Sequence, residues 1–570
     1  MSKTKASNSE LPEKIFSGIY KHPFIAAALA CMLVLLLPTR FTTISNTLSV
    51  SFLIALLGAC GAYFSYRIYS GDKAVRHAAA IGCSGLLCAF LFFYQVFVQG
   101  AYGIVLMNGG LAVCVGAFLY LLASDKLSVR SVIILLFAAG FVMRLSYVVS
   151  VDISIVQHDV YYLGNGSGHS GYIEYLYANG HLPDFDVRKV DQFYHPPLHH
   201  ILAALWMRIQ TIMGVEYELA YQNIRVLTLF YSTASLIISY KIFRRLGISK
   251  VGLIVATAVV AFCPTFYWMS GSVNNDILSI TLMLGAILNT LCWYKSRSIK
   301  RILCIALCVG FGMMAKLSAW MVAPAIAVVF IYVLFESRKS FVKYLVQYVA
   351  FLAVCAPIGL FWSVRNFIRW GVPFTFVQRL SEKSSQYIGN IPISTRIFDL
   401  SPHQFADVAP QFTMFKGSYN EYNPLVALFK TSAFDEYLAV RHYPTIAGFS
   451  HVLFWSSVVL GVLGFAAMIF MFIRKNSKMD VVQKSLIGVF YFTLLGMYYY
   501  FCMDYPHVCT MNIRYAVPLI VIGALSIGYL ASELLKMKKK WSGICLGAIC
   551  AVIGIYAVSG YAVFSICAKP

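Results

Sequence analysis

Apolar runs of about twenty residues recur along this chain, and a run of that length spans a bilayer. About fifteen can be drawn, near 23–39, 47–66, 77–98, 101–124, 129–150, 221–243, 251–270, 277–294, 302–315, 317–335, 343–363, 447–473, 485–503, 515–535 and 541–563. Lipid offers no partner to a free backbone N–H or C=O, so segments of this kind cross as helices or as closed barrels. Runs this long and continuously apolar are helical, which predicts an all-α polytopic membrane protein. Composition agrees: 12% of the residues are charged, against roughly 25% in a soluble domain. Two long polar segments, 151–220 and 364–446, interrupt the series.

The formal charge of +22 invites a nucleic-acid reading, but the distribution of the basic residues excludes it. Of 45 Lys and Arg, 28 sit in short alternate connectors, from Lys3–Lys21 at one end to Lys536–Lys540 at the other. Basic connectors of this kind face the cytoplasm. With the N-terminus inside, both long polar segments fall outside. The first apolar run ends at Pro38 and Arg40 without a small-residue cleavage site, so it reads as a span. Carboxylates test the drawing independently. Eight lie in 151–220 and six in 364–446, and Asp276 and Asp504 sit in short outer turns; together these are 16 of the 23. Six of the twelve histidines join them in the first loop. A reaction centre needs such titratable groups and a passive anchor does not. Most cysteines lie in apolar runs and read as buried thiols. Cys502 and Cys509, flanking a short outer loop, are placed for a disulfide.

Within the first outer loop, Asp159 follows His158 just beyond a membrane exit. The Gly- and Asn-rich turn Gly164–Gly168 leads into an amphipathic stretch, His169–Asn179, with Tyr172, Ile173, Leu176 and Tyr177 at helical spacing. His195-Pro196-Pro197 opens a second, with Leu198, Ile201, Leu202, Leu205 and Ile209 on one stripe. Pro suits a helix start, and both stretches fit the membrane interface rather than a crossing.

These features, in this order, resemble the GT-C glycosyltransferases. The similarity is to the protein O-mannosyltransferase and lipid A aminoarabinose transferase group. GYIEYLY followed by YHPPLHHILAALW resembles the group's first outer loop. Asn274-Asn275-Asp276 resembles its N-D turn, Arg365-Asn366 with Gly371-Val372-Pro373-Phe374 its RN…G.PF element, and Arg514-Tyr515 with Pro518 its RY..P element. Phe429–Tyr437 is similar to a second-loop segment of bacterial members. The resemblance covers about 129–535, leaving four leading spans (1–128) and a C-terminal span (536–570) outside it.

The resemblance implies a GT-C helix bundle whose two large outer loops carry interfacial helices. It implies transfer of a sugar from a polyprenyl-phosphate donor to a glycan, lipid or protein acceptor at the outer face. In such a donor the phosphate is already the leaving group. It needs positive charge, and the acceptor needs a base. Relatives carry an adjacent acidic pair just before the first loop helix, where this chain reads Gly168-His169-Ser170. Asp159 is the nearest acid after the span, and the base stays open between Asp159 and Glu174. Lys316, Arg365, Arg369 and Arg514, all expected at the outer membrane edge, are candidate phosphate contacts. His195 stands where relatives hold a cationic or hydrogen-bonding residue. His158, His169, Asn275 and Asp276 are expected to support the loop.

No cofactor is required by this reading. His158, Asp159, His169 and His195 have the chemistry to bind Zn²⁺ or Mn²⁺, but their spacing is not that of a metal motif, and no metal is expected. A lipid-linked-sugar transporter or flippase is the alternative; it calls for midplane charges and internal repeats, which the sequence lacks. A bacterial plasma membrane is the expected location, with an endoplasmic reticulum membrane as the alternative.

Overall fold

The computed structural model describes residues 102–153, 158–248, 250–405, 407–408, 421–436, 446–475 and 478–567. The expected spans at 23–39, 47–66 and 77–98 lie outside the described residues. The chain divides into two compact units, Met1–Ser150 and Val151–Pro570.

In the first unit, α1 (Tyr102–Ala123) packs against α2 (Val129–Ser150). Arg144, inside α2, is fully buried and donates to the Gly140 carbonyl at 2.7 Å. Such a residue is costly in lipid unless it is paired.

The second unit opens with the two short helices expected of the first outer loop, α3 (Gly168–Asn179) and α4 (Leu198–Ile212), which pack on each other. There follow α5 (Arg225–Arg245), α6 (Val251–Ala261), α7 (Asp276–Ser296), α8 (Ile299–Ala315), α9 (Ala323–Glu336) and α10 (Phe341–Trp370). Beyond the second outer loop, which contributes α11 (Pro424–Phe434), come α12 (Ala447–Ile473), α13 (Val481–Asp504), α14 (Pro518–Met537) and α15 (Lys540–Cys567). Among the described residues nine helices are long and apolar enough to cross a membrane. The only β feature there is an isolated bridge between Tyr387 and His507.

Packing follows membrane rather than aqueous rules. α8 sits between α7 and α10, and α14 lies against both α6 and α12. The α6–α14 contact depends on small residues: a Cβ on Gly528 would lie 2.6 Å from the Gly252 carbonyl oxygen. Close backbone approach of this kind replaces the hydrophobic drive that lipid does not supply. α10 instead turns apolar side chains outward, with Val346, Val349, Leu352 and Ile368 all exposed. The protein is a multi-pass membrane protein.

Two boundaries differ from expectation. The run drawn as one span at 251–270 breaks into α6 and a short helix, Pro264–Trp268. Pro264 cannot donate to a helical ladder, so the chain restarts there. The segment drawn at 317–335 begins as a 3₁₀ turn, Leu317–Val322, before α9. Cys502 and Cys509 are free thiols, not a disulfide. The Cys502 sulfur faces the Thr510 carbonyl at 3.6 Å.

Candidate active site

Asp159 is held by its backbone. Its carbonyl accepts from His169 N–H at 2.8 Å, the Val160 carbonyl accepts from Ser170 N–H at 3.1 Å, and the Asp191 carbonyl accepts from Gly168 N–H at 3.1 Å. The first N–H groups of a helix have no partner within it. Ser167, the residue before α3, makes no side-chain cap, so loop carbonyls do that work. Gly168 must be glycine here. Its φ is +73°, and a Cβ would lie 2.7 Å from the Asp159 carbonyl oxygen. The position where relatives keep an acidic pair is therefore occupied by a backbone crossing in this chain. Asp159 itself adopts φ +58°, a conformation uncommon outside glycine and a local cost that surrounding contacts must sustain.

The Asp159 carboxylate accepts from Arg514 Nη1 at 3.1 Å and keeps 43% of its side-chain surface open. Arg514 Nη1 also stands 3.9 Å from Asp276 Oδ2, and Asp276 is ion-paired with Lys316. The two cations flank one ring: Lys316 Nζ and the Arg514 guanidinium each lie 4.9 Å from the centre of Tyr515. Asp276, Ser279, Lys316, Arg514, Tyr515 and Pro518 line a common recess. Among the described residues, Arg514 Nε is buried and has no hydrogen-bond partner. Local structure explains the convergence. Asn275 Nδ2 donates to the Ala315 carbonyl at 2.7 Å, tying the start of α7 to the end of α8 and so Asp276 to Lys316. The Asn512 side chain caps the turn that carries Arg514, accepting its N–H at 2.8 Å. Burial alone would raise the Asp159 pKa, but Arg514, with His158, outweighs it and holds the carboxyl below its ordinary value.

Beside this charged recess lies a neutral one. His169 stacks on His195 (5.4 Å) and on His200 (5.1 Å), and His200 stacks on Tyr172 (4.4 Å). His169 Nδ1 and His200 Nε2 share a hydrogen bond of 2.8 Å. His199 Nε2 donates to the Val273 carbonyl at 2.6 Å. Burial, reinforced by nearby Lys316, pushes His195 down to about 3, and burial brings His199 to about 4. Its surroundings therefore favour the neutral imidazole at His195.

His158 has the opposite environment. Its Nε2 meets Asp435 Oδ1 at 2.6 Å and its Nδ1 meets Glu436 Oε2 at 3.3 Å. Burial works to lower its pKa, but the two carboxylates prevail and hold it at about 10. Asp435 and Glu436 lie in the Phe429–Tyr437 segment, which sequence reasoning matched to relatives without giving either acid a role. Two adjacent acids at the end of that segment were the available signal.

The remaining candidates stand elsewhere. Glu174 accepts the Gly164 N–H with both oxygens at 3.0 Å and the Tyr217 hydroxyl at 3.2 Å. Its carboxylate braces the glycine-rich turn. Arg365 lies between Trp362 and Trp370, at 4.9 and 5.0 Å, and donates to the Pro183 carbonyl. Arg369 is exposed beside Trp370. Arg365 ties the loop to the end of α10, and neither arginine contacts the Asp159–Arg514 pair. Among the described residues no three His, Cys, Asp or Glu side chains are grouped to hold a metal ion.

Residues 194–362 match the sequence profile of the dolichyl-phosphate-mannose-protein mannosyltransferase family. No curated protein matches the chain. Two solved structures of the Archaeoglobus fulgidus oligosaccharyltransferase are similar. One is AglB with an inhibitory peptide and a dolichol-phosphate (TM-score 0.45), the other an apo form (TM-score 0.44). Both are 12% identical to this chain and align over 78% of it. The chain spans 57% of their length, and a likeness this distant has no bearing on the site. The profile match bears out the expected resemblance to the GT-C superfamily, over the residues it covers.

Proposed function

We propose that this protein is a glycosyltransferase moving a sugar from a polyprenyl-phosphate donor to an acceptor at the outer face of its membrane. Asp159 is the base. It takes the proton of the acceptor hydroxyl or amine as the acceptor atom bonds to the sugar's anomeric carbon. The bond from that carbon to the phosphate oxygen breaks, and the electron pair leaves with the polyprenyl phosphate. Arg514 and Lys316 stabilise that developing charge; a permanent, forked guanidinium suits a phosphate. Asp276 orients both cations. Neutral His195 offers a hydrogen bond to the sugar or phosphate. His169, stacked on His195, and Asn275, tied to Ala315, hold these groups in place. Arg365 and Arg369 meet the donor, if at all, at the rim rather than at the reacting atoms. Glu174 acts by bracing the loop.

One observation carries the reading. A partly open carboxylate is paired with a buried arginine that has an unused donor, beside a lysine, in an outer recess. The separation of charge types also argues against a transporter, which would place its polar groups near the midplane. The setting most consistent with the second-loop segment is a bacterial plasma membrane, with the endoplasmic reticulum as the other candidate.

The test uses purified protein in detergent with a radiolabelled polyprenyl-phosphate sugar, following release of polyprenyl phosphate. Asp159→Asn is expected to lower turnover by about 10²- to 10⁴-fold, the range of a lost general base, with donor binding kept. Unchanged turnover in the variant removes Asp159 from the role. Absence of turnover in the parent protein with every donor, together with movement of labelled lipid across liposomes, would overturn the enzyme reading.

A further inference from the structure

Asp159 and Arg514 are 355 residues apart in sequence, yet a closed circuit of contacts joins them by a second route. His158, adjacent to Asp159, is buried against Asp435 and Glu436. The other oxygen of Glu436 accepts from Asn512 Nδ2 at 2.6 Å. Asn512 Oδ1 accepts the Arg514 N–H at 2.8 Å, and Arg514 returns to Asp159 at 3.1 Å. His158, Glu436 and Asn512 each hold a partner at two ends, and the backbone completes the circuit at His158–Asp159 and at the Arg514 N–H. Asp435 sits at φ +57°, so two acids in an uncommon backbone conformation, Asp159 and Asp435, stand on either side of one imidazole. Strain of that kind persists where the surroundings over-determine it, and it gathers at functional sites. Thr431, on α11, strengthens the closure by accepting the Ile513 N–H at 3.0 Å.

We propose that His158 is a positioning residue, through which the Asp435–Glu436 pair of the second outer loop sets the orientation and basicity of Asp159. The inference rests on the reading of Asp159 as the base. His158 touches no substrate. Carrying a hydrogen on each ring nitrogen, it satisfies both carboxylates at once and anchors the peptide that holds Asp159 at positive φ. Its charge, beside that of Arg514, keeps the carboxylate ionised. The second loop is then a working part of the base, though none of its acids meets the acceptor. A small displacement of a reacting group costs about 10²-fold in rate, so a misplaced anchor has a large effect.

The groups facing Asp159 fix the expected pH response. They are His158 and Tyr161 from its own loop, Tyr194 and His195 ahead of α4, Asp276 at the mouth of α7, and Cys509, Arg514 and Tyr515 from the last outer turn. Losing the imidazolium among them leaves Asp159 easier to protonate. The experiment compares full-length His158→Gln and Asp435→Asn with the parent protein, counting only folded protein recovered by size exclusion. The expected result is a kcat lowered about tenfold or more in both, donor KM within about twofold, and the acid limb of kcat/KM moved to higher pH in His158→Gln. A structural role alone would reduce the yield of folded protein but leave its kcat and acid limb at parent values, and that outcome overturns the proposal. Turnover in the parent with unshifted variants sinks this inference alone. A parent without turnover removes the transferase reading and this inference with it.

Discussion

His158, buried, and His195, half-buried, belong to the same loop, and their surroundings drive them in opposite directions. His158 faces Asp435 and Glu436 and stays protonated up to about 10. His195 faces His169, Tyr194 and the charge of Lys316, and stays neutral down to about 3. Burial penalises the cation in both places; two carboxylates in direct contact reverse the outcome at His158, whereas at His195 Asp276 and Asp159 pull upward but burial and Lys316 prevail. The loop thus keeps two kinds of polar interior side by side. In one, from His158 through Asp159 and Arg514 to Asp276 and Lys316, charges of both signs compensate each other. In the other, His195, His169 and His200 with Tyr172 stack as uncharged rings. The first suits a step that moves a proton and leaves an anion. The second supplies a rigid, dry wall that adds no charge of its own.

Removing charge from the compensated side should do the most damage. Arg514→Gln withdraws the donor that pairs with Asp159 and that the proposed mechanism sets against the leaving phosphate. Loss of one such preorganised donor costs about 10²- to 10³-fold in kcat, and steady-state release of polyprenyl phosphate would report it. The acid limb should also move to higher pH, since Arg514 is the strongest influence lowering the Asp159 pKa. A variant with near-parent turnover would mean that the phosphate sits elsewhere, with Arg365 and Arg369 as the next candidates.

Asp276→Asn tests the same side through stability. Asp276 is 2% exposed and paired with Lys316, with Arg514 beyond. Breaking a buried pair costs about 3–5 kcal/mol because the remaining charge is left uncompensated. Lys316 retains 14% of its side-chain surface, so the low end of that range applies. Denaturant or thermal unfolding in detergent would measure it. On the uncharged side, His200→Leu replaces a ring that has no charge to strand, and it should cost less than Asp276→Asn in the same assay. An equal or larger loss would show that the stack also carries electrostatic weight.

Much of this architecture could be read in the sequence because hydropathy alone determines it. The run drawn at 447–473 coincides with α12, and that at 277–294 falls one residue inside α7 at its start and two at its end. The two amphipathic loop stretches became α3 and α4. Asp159, Lys316 and Arg514 were named; Lys316 and Arg514 line one recess, and Asp159 pairs with Arg514. The sequence did not separate them from Arg365 and Arg369. All four cations are predicted at the outer edge, and which of them share a recess is decided by helix packing, as when Asn275 ties α7 to α8. Nor did it reveal that Glu174 is already occupied by the Gly164 N–H, or that Asp435 and Glu436 face His158. The first is a local loop contact ten residues long, the second joins segments 277 residues apart, and a periodicity carries no record of either.

The smallest effect, and the sharpest contrast, lies in how stability changes with pH. The folded pKa of His158 is raised above its value in an unfolded chain, near 6.5. Its contribution to stability is therefore fully present below about 6.5 and is lost as pH rises towards about 10. The folded pKa of His195 is depressed. Below about 6.5 the unfolded chain takes up a proton that the native site refuses, so this residue makes the protein less stable as pH falls towards about 3. His158→Gln should then lower the unfolding temperature most at and below about pH 6.5, with the gap to the parent closing on the alkaline side. His195→Gln should leave the alkaline side unchanged and flatten the decline on the acid side. The flattening is partial, because His169, His199 and His200 are depressed in the same direction. Thermal unfolding from pH 5 to 9 measures both gaps. Opposite slopes support two distinct polar interiors, whereas parallel curves would mean that His158 and His195 share one environment and that the carboxylates of the second loop do not reach His158 in the protein as it unfolds.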